Sequence, residues 1–158
     1  MKSIRMICGS KRKHVYRAAS LRGEGPGRER DGNDMITGKV TAQETERYVS
    51  EFMLELGVPA HLRGYYYLRE AIVLTVGDME LVGSVTKLLY PCIARSNRTS
   101  VQRVERAIRN AIEVSWERGN PAVFEELFGY SGVSGALRPT NSEYIARIAD
   151  KVHMDLGE

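Results

Sequence analysis

The sequence predicts an all-α fold: a compact bundle of about six helices containing a helix-turn-helix, preceded by a disordered, basic N-terminal tail. Three observations carry that reading. Apolar residues recur at intervals of three and four from Tyr48 onward, no segment reads convincingly as a strand, and the stretch from Lys11 to Lys39 shows neither rhythm. A chain of 158 residues with 42% hydrophobic content is long enough to bury one ordinary core.

The tail is polar and glycine-rich, as in LRGEGPGRERDGND. Such a composition buries too little apolar surface to offset the entropy of ordering it. Residues 1 to 40 are therefore read as a largely disordered tail and residues 41 to 158 as the folded domain. Gly23, Gly25 and Gly27 do not make a phosphate loop, since no strand precedes them and their spacing is not the dinucleotide pattern.

In the folded part, Tyr48 and Phe52 with Val49, Met53 and Leu56 begin a first helix that Gly57-Val58-Pro59 ends. A second is expected from about Pro59 to Val76, closed by Gly77, and a third from Met79 to Leu89. Tyr65, Tyr66 and Tyr67 point about 100° apart on a helix, so they cannot form one base-stacking platform and are read as packing residues. Pro91 suits the first turn of a short helix ending at Ser96. Thr99 with Gln102 has capping-box spacing and opens the longest helical stretch, which ends before Gly119-Asn120-Pro121. Thr140 with Glu143 repeats that signature before a final helix from Asn141 to about Met154.

Charge and cysteine content narrow the function. The net charge of +3 is uneven: residues 1 to 40 carry ten Lys and Arg against four Asp and Glu, which leaves the remainder at −3. Whole-chain basicity is then no argument for nucleic acid, and any such argument rests on local charge. Cys8 and Cys92 are 84 residues apart, a spacing that makes neither a disulfide framework nor a zinc site, so both thiols are expected reduced. No stretch approaches the roughly 18 apolar residues of a membrane span, and the N-terminus lacks a secretory signal. A cytoplasmic protein is expected.

On a wheel of 100° per residue, residues 100 to 118 place Val101, Val104, Ile108, Ala111, Ile112 and Ser115 within a band of about 100°. The opposite arc collects Gln102, Arg103, Glu105, Arg106, Arg109, Asn110, Glu113 and Glu117. Arginine can bond guanine bidentately in the major groove, glutamine and asparagine can pair with adenine, and glutamate can accept from cytosine. Arg98 and the helix N-terminus suit phosphates, which fix register without reading sequence. A short helix, a three-residue connection and a longer helix have helix-turn-helix spacing. Ala94 and Val104 match its small and apolar positions, but Arg98 stands where the turn usually has glycine. The alternative for this face is an ordinary solvated helix surface.

Residues from about 42 to 155 carry the runs LGVPAHLRGYYYLREAI, ELVGSVTKLLYP, RVERAIRNAIEVSWERGN, LFGY and PTNSEYIARIADK. In these the chain closely resembles the C-terminal DNA-binding effector domain of the sporulation master response regulator, the stage 0 sporulation protein A family of endospore-forming Firmicutes. The resemblance implies a six-helix domain that binds short elements of double-stranded promoter DNA, often as a head-to-tail homodimer on tandem sites, and activates or represses transcription. It places base reading on Arg103, Glu105 and Arg106, with Arg109 extending that surface. It also implies a contact with the principal sigma factor of RNA polymerase through Gly119 to Tyr130, including Gly119, Val123, Glu125 and Phe128. Core packing competes with that role, above all for Leu127 and equally for Phe128. The family carries a receiver domain upstream, for which residues 1 to 40 are too few and too polar, so control by phosphorylation does not follow.

Two other classes of function are open to such a chain. His14, His61 and His153 are scattered, and no Ser/His/Asp, paired-carboxylate or Cys/His set has catalytic or metal-ligand spacing, so neither an enzyme, a cofactor nor a metal is expected. His61 is read as a capping or packing residue. A receiver-less module that modulates a full-length homologue by dimerisation is the second reading, but it would not need Arg103, Arg106 and Arg109 together.

Overall fold

A computed structural model describes residues 40–157, and these are helical throughout with no strand among them. The expectations for the basic tail, with Cys8, His14 and the glycines at 23, 25 and 27, lie outside the described residues. Six α-helices follow in order: α1 (Ala42–Glu55), α2 (Arg63–Gly77), α3 (Tyr90–Ser96), α4 (Val101–Arg118), α5 (Pro121–Phe128) and α6 (Asn141–Leu156).

Helix α1 begins six residues upstream of Tyr48 because Thr41 and Glu44 form a reciprocal capping box. The Thr41 hydroxyl accepts from the Glu44 N–H at 3.2 Å, and the Glu44 carboxylate accepts from the Thr41 N–H at 2.7 Å. These bonds hold the Glu44 carboxyl below its ordinary pKa. The helix ends at Leu56, and Gly57 turns the chain with a φ of +72°. Helix α2 starts four residues later than Pro59. Leu62 and Tyr65 close turns onto the carbonyls of Pro59 and Leu62, and Leu62 is extended rather than helical. His61, expected to cap or pack, is exposed in that turn. Gly77 is the last residue of α2, and extended Asp78 ends the helix. Tyr65 and Tyr67 are buried while Tyr66 is 53% exposed, as three successive directions on a helix require.

The expected α-helix from Met79 to Leu89 is a 3₁₀ helix (Met79–Ser84) followed by a short π-helix (Val85–Leu89). The Asp78 carboxylate accepts from the Glu80 N–H at 3.1 Å and starts a tight turn. After Gly83, Ser84 leaves the helical region at φ −139°, ψ 34°. Leu81, Val85 and Leu89 are nonetheless all buried, so the apolar spacing was real while the i→i−4 backbone ladder was not.

The core is built on α2, which packs against both α4 and α6. Leu68, Ala71 and Ile72 of α2, Ile108 and Ile112 of α4, and Ile145 and Ile148 of α6 are fully buried. Gly64 permits the closest approach: a Cβ there would stand 1.9 Å from the Ala107 carbonyl oxygen of α4. A buried polar chain ties the other end of α4. The Ser115 hydroxyl donates to the Leu56 carbonyl at 2.7 Å, and its oxygen is then free to accept from the Tyr144 hydroxyl at 2.8 Å. Burial raises the pKa of the Tyr144 phenol, so it stays a donor at neutral pH.

Candidate nucleic-acid interface

Helices α3 and α4 are joined by a turn closed by two backbone bonds. The Thr99 N–H reaches the Ala94 carbonyl at 2.9 Å and the Arg98 N–H reaches the Arg95 carbonyl at 3.4 Å. That pair of bonds is a Schellman motif, which requires a left-handed residue just past the helix end. Arg98 occupies this position with a φ of 50°, the non-glycine residue with positive φ among the described residues. An L side chain there costs roughly 1–2 kcal/mol relative to the right-handed region. The chain thus makes the usual turn without its usual glycine.

The cap of α4 is Ser100 and not Thr99. The Ser100 side chain accepts from the Arg103 N–H at 3.3 Å, while the Thr99 backbone N–H closes the Schellman motif. The expected Thr99/Gln102 capping box is therefore replaced by a cap one residue later. Val104, Ile108, Ala111, Ile112 and Ser115 are buried and Val101 is half-buried, the face expected from the wheel.

Gln102, Arg103, Arg106, Arg109 and Asn110 are all exposed along α4, and Arg98 is exposed at its approach. Glu105 is half-buried at the edge of that face, and its carboxylate lies 2.6 Å from Arg109 Nη2. Ion pairs among the described residues engage Arg109 but neither Arg103 nor Arg106. Arg95, exposed on the last turn of α3, was not singled out from the sequence. It adds a further cation beside the turn, two residues before Asn97.

The residues downstream of α4 do not form one exposed patch. Gly119 sits against the α1 end, where a Cβ would stand 2.5 Å from the Leu56 carbonyl oxygen. Phe128 is buried in an aromatic cluster, 5.7 Å from the rings of Phe124 and Tyr144. Val123 and Glu125, two positions apart on α5, face different ways. Val123 lines an open groove of about 450 Å³ between α1, α5 and α6, and the Glu125 carboxylate accepts from the Ser131 hydroxyl at 2.8 Å. The groove has Phe52, Val123 and Leu127 in its wall, and Glu51, Glu55, Glu126, Asp150 and Asp155 against Arg147 and Lys151. Lys151 and the Tyr48 hydroxyl both bond Asp155, which lowers the pKa of that carboxyl and pushes the Tyr48 phenol up to about 12.

Residues 49–152 match the family described as Sporulation initiation factor Spo0A C terminal. The chain belongs to that family. The match spans α2 to α5, the second half of α1 and most of α6, so the helix-turn-helix lies wholly inside it. A Spo0A C-terminal domain is a DNA-binding, transcription-regulating effector domain of the sporulation response regulator, and not a member of an enzyme family. Among the described residues, no three His, Cys, Asp or Glu side chains cluster as metal ligands, and no helix is long and apolar enough to cross a membrane. Cys92 is buried in α3.

Proposed function

We propose that this chain is a sequence-specific regulator of sporulation-type genes that reads promoter DNA in the major groove with the outer face of α4. One observation carries the reading. Arg103 and Arg106 stand exposed and outside any ion pair among the described residues, in the first turns of an 18-residue capped helix that follows a helix-turn-helix turn. Guanidinium groups so placed are available for guanine edges, and Gln102 and Asn110 beside them for adenine. Glu105 can accept from cytosine only by loosening its pair with Arg109, so these two residues act as a unit. Arg98 serves the phosphate backbone, together with the N–H groups at the start of α4.

Residues 41 to 158 form the effector unit in this reading, which works in the cytoplasm, where the promoter is. Tandem elements would seat two copies head to tail. Contact with a polymerase sigma factor falls on the α5 side. There Val123 opens onto a groove of acidic surplus that suits a basic protein surface and repels DNA. Gly119 and Phe128 then support that side from within, and Glu125 holds the loop after α5 through Ser131.

The test is fluorescence anisotropy of the full chain on a duplex selected by the chain from a random library, and on its scrambled counterpart, at two salt concentrations. Preference for the selected duplex that survives the higher salt is expected. Equal and salt-fragile binding to both duplexes would remove sequence reading and leave a module that acts on other proteins.

A further inference from the structure

We propose that Asn141 is a positioning residue for DNA reading: its side-chain amide pins α4 to the first helix of the helix-turn-helix. Nδ2 of Asn141 donates to the Tyr90 hydroxyl at 3.1 Å and to the main-chain carbonyl of Glu105 at 3.4 Å. One side chain thus joins the start of α6, the start of α3 and the middle of the base-reading turns of α4. This inference rests on the reading of α4 as the DNA-contacting helix.

Three features single the contact out. The α6 N-terminus is capped without Asn141, because Thr140 and Glu143 form a complete capping box at 3.2 and 3.0 Å. The Asn141 amide is therefore not used in capping and is free to bridge. Its orientation is set by chemistry, since a backbone carbonyl can only accept and so must face the amide NH₂. Finally, the carbonyl it holds belongs to Glu105, whose neighbours are Arg103 and Arg106 and whose carboxylate holds Arg109 at 2.6 Å. About 6 Å from a helix axis, a rotation of about 20° moves a side-chain tip by about 2 Å. Such a shift separates a bidentate base contact from none. Ser115 ties the C-terminal part of α4 to Leu56 and Tyr144, and Asn141 supplies the directional bond beside its base-reading turns.

The decisive variant is Asn141→Asp in the full chain. An acidic residue in the first turn of α6 favours that helix, so folding is retained. Both donors are lost, and a carboxylate faces the Glu105 carbonyl. Affinity for the duplex selected by the wild-type chain should fall roughly tenfold, about one bidentate contact. Affinity for the scrambled duplex should stay within about twofold, and the thermal midpoint should fall by only a few degrees, as the loss of these hydrogen bonds predicts. Amide hydrogen exchange over residues 101 to 109 should accelerate without DNA present, and Tyr90→Phe, which removes one acceptor, should give a smaller loss of preference. A preference within twofold of wild type, or an equal loss on both duplexes, overturns the role of Asn141 while leaving DNA reading intact. A wild-type chain that prefers no duplex removes DNA reading itself, and the role of Asn141 with it.

Discussion

The outer face of α4 and the groove between α1, α5 and α6 are both lined by long charged side chains beside half-buried apolar ones, but with opposite balance. On α4, Arg103 and Arg106 stand unpaired among the described residues, whereas the groove gathers five carboxylates against two cations. A net charge of +3 conceals both. In the proposed function it is the location of charge, and not its total, that gives nucleic acid to one face and a basic protein surface to the other. The two regions also differ in how they are held. The outer face of α4 rides on a single helix fixed by close packing at Gly64 and by the Ser115–Leu56 and Ser115–Tyr144 bonds. The groove is assembled from three helices distant in sequence.

The contrast can be broken hardest at the support of the reading face. Gly64→Ala forces a Cβ into the Ala107 carbonyl at 1.9 Å, between backbones that cannot rotate away. Overpacking of this kind should destabilise the fold by about 3 kcal/mol, and chemical denaturation of the variant measures it. Next comes the face itself. Arg103→Ala and Arg106→Ala should each cost on the order of 1–3 kcal/mol at a specific site and relax base preference there. Binding isotherms on single-base variants check this, and equal losses on selected and scrambled duplex would reassign those arginines to phosphates.

Arg98→Gly sharpens the comparison because its two effects oppose each other. Removing the side chain from a left-handed turn should stabilise the fold by about 0.5–1 kcal/mol. The same change should reduce the salt dependence of DNA binding by about one phosphate contact. Thermal melts and a salt titration read the two separately, and loss of both properties together would show that Arg98 is needed for the turn itself. The smallest effect on DNA belongs to the groove. Glu126→Lys should change affinity for the selected duplex less than about twofold, since Glu126 lines the groove and is not on the outer face of α4. Transcription from a dependent promoter should fall, and an unchanged output would take the polymerase contact away from this groove.

Legibility followed the range of the interactions. Helix α4 was readable because its burial repeats within 18 residues, and the Thr140/Glu143 cap because its bonds span three. The Thr41/Glu44 box had the same spacing but precedes the apolar residues that mark a helix, and it passed unnoticed. Thr99 and Ser100 are adjacent capping types, and only the bond from the Arg103 N–H to the Ser100 side chain decides between them. Segment 79–89 misled because apolar spacing reports which side chains are buried and not which carbonyl each N–H reaches. Arg98 was visible as a departure from the usual glycine, but its φ of 50° was not.

By itself the sequence determined the all-helical class, the helix-turn-helix and the amphipathic face of α4, because each follows from local periodicity and local hydrogen bonds. Tertiary structure alone decided that Asn141 meets Tyr90 and Glu105 across 51 and 36 residues, that Phe128 turns into the core, and that carboxylates of three helices share one groove. Contacts between distant residues depend on how helices pack against one another, and that geometry leaves no periodic trace along the chain.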